Sequence, residues 1–152
     1  MLQTSPPGWH QERLQISSSP GIACQDITTD LNRCIERLAI RSGLMQAAGQ
    51  HTTTALLVNE AEERLMADLV DMLHELVPPD RPYRHNDLHL RSNIPADEPR
   101  NAHSHLLAMR LGNHLSIPIV DGRLALGRYQ SVLFVELDGP RQRQVLLQII
   151  GL

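Results

Sequence analysis

A chain of 152 residues has room for one domain with a sizeable core and not for two comfortable ones. Hydrophobic residues make up 41% but aromatics only 3%, so the core must be mainly aliphatic, and a net charge of -3 leaves no basic footprint for nucleic acid. No apolar run is long enough to span a bilayer and no hydrophobic-centred leader opens the chain, so the expected location is the cytoplasm, with no membrane partner.

Residues 1–11, with Ser5, Pro6, Pro7 and Gly8, read as a flexible lead-in, and residues 12–152 as one folded domain. Arg13 to Ile16 alternates in polarity and predicts a first strand, followed by a turn over Ser17 to Gly21. Leu31, Cys34, Ile35, Leu38 and Ala39 recur at helical spacing, which predicts a helix capped by one of Asp26 to Thr29 and running through about Ser42, with Gly43 as its left-handed stop. Cys34 then lies on the apolar side as a buried thiol, and two cysteines, Cys24 and Cys34, make neither a disulfide framework nor a metal knuckle. Leu44 to Gln50 is expected to be a strand running into His51-Thr52-Thr53-Thr54, whose β-branched residues and the apolar run to Val58 form the next buried strand.

Asn59 and Glu62 fit the start signals of a long helix with one apolar stripe, Leu65, Met66, Leu69, Val70, Leu73, Leu76 and Val77, stopped by Pro78 and Pro79. Residues 80–99 are polar, proline-broken and aperiodic, and a loop of that length in a small domain is usually functional or mobile. Asn101 is placed to cap a third helix through Leu111, with Gly112 as its stop. Strands are then predicted over Leu115–Val120, Arg123–Leu126, Tyr129–Leu137 and Val145–Ile150, the first two joined by a hairpin at Asp121-Gly122. Helices and antiparallel hairpins in one domain give an α+β architecture.

Histidine is the unusual residue: five of the eight, His85, His89, His103, His105 and His114, fall close together in the second half. Neutral imidazole is a favoured ligand of a divalent metal such as zinc, which takes three or four donors. His51 at a strand edge, His85 in the long loop and His105 on a helix form a candidate set, and His103, two residues from His105, would point about 200° away on a helix. By spacing alone the set is long-range and unspecific, and for a lone histidine a hydrogen-bonded place at a loop edge is the commoner role of His51; the histidines and arginines that gather downstream are what favour a site. Arg141 and Arg143, beyond a Gly-Pro turn, have the fork geometry to clamp a phosphate or carboxylate, or are simply a solvated hairpin end. Gln130, beside Gly127, is a candidate to orient a ligand, or equally an ordinary buried or edge glutamine.

These pieces occur in a specific order: His51-Thr52-Thr53-Thr54, Asn59-Glu60, Tyr83-Arg84-His85-Asn86, Asn101-Ala102-His103-Ser104-His105, Gly122 to Gln130, and Glu136 to Arg143. In that succession, from about residue 12 to the end, the chain resembles the YjbQ family, also described as secondary thiamine-phosphate synthases. The resemblance implies an α+β fold of mostly antiparallel sheet curled into a half-barrel, with two or three helices, assembled as a homotrimer. It also implies a divalent metal, commonly zinc, on His51, His85 and His105, with Glu136, Arg141, Arg143 and Gln130 as the catalytic positions. The chain departs from the family's usual Gly-Thr-Trp-Gln at Gly127-Arg128-Tyr129-Gln130, which keeps an aromatic wall but adds a hydroxyl and a charge.

Three functions follow as expectations. The first, implied by the resemblance, is thiamine-phosphate synthesis, in which a pyrimidine methyl pyrophosphate joins a thiazole phosphate with loss of pyrophosphate. Arginines would hold the phosphates, and Mg²⁺ would suit the pyrophosphate better than it suits imidazole. The second is a zinc-dependent hydrolase of a small phosphorylated or acyl compound, with Glu136 as general base. The third is a homotrimer that binds a metal or small ligand without turnover.

Overall fold

Alternation at the start of the chain reaches further back than the four residues that carry it most clearly. In the computed structural model, which describes residues 8–152, the first strand β1 spans Trp9–Ser17 and pairs antiparallel with the last strand of the chain, Trp9 opposite Ile150. Residues 9–11 are therefore ladder and not lead-in, while residues 1–7 of that expectation lie outside the described residues.

The described residues continue as β2 (Gly21–Asp26), α1 (Thr28–Arg37), β3 (Gly43–Gly49), β4 (Thr54–Asn59), α2 (Glu63–Leu76), α3 (Ala102–Leu111), β5 (His114–Val120), β6 (Arg123–Leu124), β7 (Ser131–Gly139) and β8 (Gln142–Gly151). Among the described residues every strand pairing is antiparallel, in a five-stranded sheet of order β1-β8-β3-β5-β6 and a three-stranded sheet of order β2-β7-β4. Sheet and helices together form the expected α+β fold with its curled half-barrel.

Side chains alternate across each strand, so one face of each sheet turns inward. Val145, Leu147 and Ile149 of β8, Met45 and Ala47 of β3, and Ile117 and Ile119 of β5 meet Leu56 of β4 and Val132 and Phe134 of β7 in the main core, closed by Ile27, Leu31, Cys34 and Ile35 around α1. The opposite face of β4 and β7, with Ala55, Val135 and Leu137, packs on Leu73 of α2 and Leu107 and Ala108 of α3. β7 is thus buried on both faces, and Cys34 is the buried thiol its spacing predicts.

Several boundaries differ from the pattern-based reading for identifiable reasons. β2 has no alternation of its own and exists because β7 offers it an edge. Helix α1 ends at Arg37 and not near Ser42, because Ala39 turns left-handed (φ 54°) and sends Ile40 into the core at 3% exposure. Gly43 is then needed by β3, where a Cβ would stand 2.1 Å from the Ile150 carbonyl oxygen. At the start of α2 the cap is Glu62, whose carboxylate accepts from the Arg64 and Leu65 amides, while Asn59 accepts from Glu60 instead. Only Leu73 of the predicted α2 stripe is fully buried; Leu76 is 54% exposed, and Met72, outside the stripe, is 48% exposed. Among the described residues no helix is long and apolar enough to cross a membrane.

The 80–99 loop is held by its own bonds. Short 3-10 turns occupy Arg84–Asn86 and Leu88–Leu90, Tyr83 donates its hydroxyl to the Pro78 carbonyl, and Arg91 pairs with Glu98 at 2.7 Å.

Candidate functional site

The inward row of β8 begins not with an apolar residue but with Arg143, 4% exposed, and the inward row of β7 ends with Glu136, 1% exposed. Two charges at the open end of the core survive there only as a well-bonded pair. Arg143 Nε and Nη2 donate to the two carboxylate oxygens of Glu136 at 2.7 and 2.6 Å, Nη2 also reaches Thr53 Oγ1, and the Leu137 and Asp138 amides donate to the same carboxylate. Burial alone would raise the Glu136 carboxyl, but Arg143 and the Asp138 amide outweigh it and hold the group ionised below its ordinary range.

Just above this pair the chain turns from β3 to β4 through residues 50–53. Gly49 allows the turn, since a Cβ there would meet Asn113 Oδ1 at 2.0 Å. Asn113 Nδ2 donates to the carbonyls of Gly49 and His51 at 3.2 and 2.7 Å. The Gln50 amide donates to the Gln144 carbonyl, and His51 Nε2 accepts from the Gln144 amide at 3.0 Å, so the imidazole continues the β3–β8 ladder where the strand itself stops.

The other wall comes from the long loop and α3. Asn86 accepts from the amide of Ala102, the first residue of α3, and this bond sets His85 against His105, their rings 4.8 Å apart and inclined at 69°. Asn101, which precedes α3, does not use its side chain as a helix cap; it donates to Asp138 Oδ2 at 2.7 Å, and that same oxygen accepts from Arg141 Nη2 at 2.8 Å. The result is a cleft of about 500 Å³ that brings together His51, His85, His105, Arg141, Arg143 and, from the loop, Arg91. A second groove, of about 420 Å³ between α2 and the β4–β7 face, is apolar and holds no such cluster.

Five of the seven site residues expected from the sequence therefore meet in one place, and two do not. Gln130 lies in the Gly127 turn, where its side chain accepts from the Gly127 amide. It sits at the end of β7 remote from Glu136, about 20 Å away at the usual rise per residue, and plays no part in the cleft. Glu136 is underneath the site and not in it: both its oxygens are committed to Arg143 and backbone amides, which removes it as a general base and makes it the residue that positions Arg143. His103 points away from the cleft, as the helical angle predicts. Arg91, Glu98, Asn101, Asp138 and Asn113 also shape the cleft, and sequence reasoning does not mark them as site residues. Asn101 and Asp138 stand within recognisable motifs, but their bond spans 37 positions and Asn113 reaches His51 across 62, with no local signal.

Electrostatically the cleft is balanced. Arg143 is matched by Glu136, Arg141 by Asp138 and Arg91 by Glu98. Burial, aided by Arg143, lowers the His51 pKa, and burial and His85 lower that of His105, so both rings are neutral near pH 7. As metal donors the three histidines fit unequally. His85 Nε2 is buried without a hydrogen-bond partner, the kind of lone pair that an ion completes, and His105 stands beside it. His51 Nε2 is already occupied by a backbone donor, and among the described residues no three His, Cys, Asp or Glu side chains converge on one metal position.

Comparison with known proteins covers almost the whole chain. A family profile described as "UPF0047 protein YjbQ-like" matches residues 12–152. A UPF0047 protein of Archaeoglobus fulgidus is 37% identical over 137 residues, spanning 90% of this chain and 98% of that one; another, from Methanothermobacter thermautotrophicus, is 34% identical over 142 residues, 93% and 92%. The crystal structure of a hypothetical protein from Aeropyrum pernix K1 superposes with a TM-score of 0.84 at 36% identity, over 94% of this chain and 99% of the other. A YbjQ-like protein of unknown function from Sulfolobus solfataricus P2 gives 0.83 at 32% identity, over 95% and 98%.

Proposed function

The chain belongs to the YjbQ-like UPF0047 family, and we propose that its cleft binds a small phosphorylated molecule, with thiamine-phosphate synthesis as the reaction that the family resemblance implies. The observation that carries this reading is the convergence of three guanidinium groups, on Arg91, Arg141 and Arg143, around one open polar cleft with two neutral imidazoles. Each guanidinium is oriented by a carboxylate, so its remaining N–H groups are aimed before any ligand arrives, and a preorganised donor loses less on binding. Arg141 is the most accessible of those three, with Nε on the Asp138 carbonyl, Nη2 on the Asp138 carboxylate and Nη1 left over for a phosphate oxygen.

A divalent cation, zinc by donor type or Mg²⁺ with a pyrophosphate substrate, would be held by His85 and His105 together with oxygens of the bound molecule, and would supply neutralisation of the phosphate charge. A zinc hydrolase has less support, because its expected general base, Glu136, is sealed under Arg143. The homotrimer implied by the resemblance is supported by the exposed apolar face of α2, where Leu65, Met72 and Leu76 lack cover within one chain. The expected location remains the cytoplasm.

The test is condensation of a pyrimidine methyl pyrophosphate with a thiazole phosphate, read as pyrophosphate release, with binding of inorganic pyrophosphate measured by calorimetry. Arg141→Ala is expected to weaken pyrophosphate binding about tenfold, the worth of one charged hydrogen bond. Wild-type protein that neither binds pyrophosphate nor releases it would exclude this reading.

A further inference from the structure

His51 heads the motif that singles out this chain, and its role follows from one bond. A backbone N–H cannot accept a hydrogen bond, so the Gln144 amide, 3.0 Å from His51 Nε2, requires a lone pair on that nitrogen. A neutral imidazole carries one proton, which must then sit on Nδ1. The ring cannot be turned over without placing carbon against the amide, and its backbone is held from the far side by Asn113 on the His51 carbonyl. Nδ1 has no hydrogen-bond partner within the described residues, yet it is not among the buried nitrogens closed off from solvent, and His51 lines the cleft.

A metal-ligating histidine has the reverse arrangement: one ring nitrogen holds the ion while the other donates its proton to an acceptor, a carbonyl or carboxylate. Here the second partner is a donor. Ligation through Nδ1 would require either an imidazolate or the loss of the bond that extends the β3–β8 ladder. His85 differs, since its Nε2 has no partner at all.

We infer that His51 is a tautomer-locked hydrogen-bond donor, which presents Nδ1–H to an anionic oxygen of the bound molecule and does not ligate a metal. It stands beside Arg143, itself clamped by Glu136 and Thr53, so a neutral donor and a charged one share one wall of the cleft. The anionic partner rests on the proposed reading of the cleft; the tautomer and the exclusion from metal ligation do not.

The experiment is long-range ¹H–¹⁵N correlation NMR on uniformly ¹⁵N-labelled full-length protein, with His51 assigned by its disappearance in His51→Asn. The expected spectrum has His51 with Nδ1 protonated and Nε2 bare. Inorganic pyrophosphate should move the Nδ1 signal, and added zinc should move the His85 and His105 rings in preference to His51. In calorimetry, His51→Asn, whose amide overlays Nδ1, should keep pyrophosphate affinity within a few-fold, and His51→Gln, which overlays Nε2, should lose about tenfold. An Nε2-protonated His51, or zinc binding abolished by His51→Asn as fully as by His85→Ala, overturns the inference. Wild-type protein that leaves the Nδ1 signal unmoved by pyrophosphate overturns the donor role and the anion reading together, while the tautomer and zinc results still decide whether His51 ligates metal.

Discussion

Arg143 and Glu136 illustrate how one pair can serve both stability and the site. Removing a single partner of a buried, bonded ion pair leaves the other charge uncompensated, at a cost of about 3–5 kcal/mol. Arg143→Ala is expected to lower the unfolding free energy by about that amount in urea titrations, because it strands a Glu136 carboxylate that is 1% exposed. Titration tests the same neighbourhood. His51, His103 and His105 are held below their ordinary pKa, each chiefly by burial. Above both folded and unfolded values they contribute nothing; as pH drops below about 6.5 the unfolded chain takes up protons that the folded one refuses, and stability falls. Glu136 has the opposite character: its lowered pKa contributes stability above the unfolded value, lost as pH falls through the folded one. The urea midpoint should therefore decline from pH 7 to pH 5 and fall further in more acid solution. A midpoint unchanged between pH 7 and pH 5 would contradict the neutral, half-buried histidines.

Among the elements, the close pairing of β3 with β8 makes the strictest demand. The Gly43 backbone lies so near Ile150 that an added Cβ would overlap a main-chain oxygen, which has no flexible end to move aside. Gly43→Ala is expected to destabilise the protein by about 2 kcal/mol or more, in the range of a strained core substitution, and hydrogen exchange should locate the loss at the β3–β8 ladder. The same glycine shows the limit of local reading. A Gly after an apolar periodic run is an ordinary helix stop, yet α1 ends at Arg37, and Gly43 serves a strand contact more than a hundred positions away. The hairpin of β5 and β6 is the contrary case: Asp121 (φ 52°) and Gly122 (φ 81°) occupy the two left-handed turn positions that their identities suit.

At the scale of the molecule, the sheets enclose one aliphatic core, while α2 covers the outer face of β4 and β7 incompletely. Met72 lies 48% exposed on that helix beside an apolar groove. If a trimer forms through this face, light scattering on the wild type should give three times the mass of one chain, and Met72→Glu should give smaller species, since burying an unpaired carboxylate opposes association. A monomeric wild type would contradict the homotrimer.

The sequence by itself determined the α+β class, the family, both later helices, the final hairpins and five of the residues that line the cleft. Those features depend on alternation, 3.6-residue spacing, turn residues and an ordered succession of motifs, all of which are written locally along the chain. Only the tertiary structure decided that β2 is a strand, that Gln130 is remote from the cleft, that Glu136 is buried beneath Arg143, and which proton His51 carries. Each depends on a partner distant along the chain: β7 for β2, and Gln144, 93 positions on, for His51. Hydrogen-bond partnership and burial are properties of which strands lie side by side, and a periodic pattern states which face a residue occupies without stating what stands opposite it.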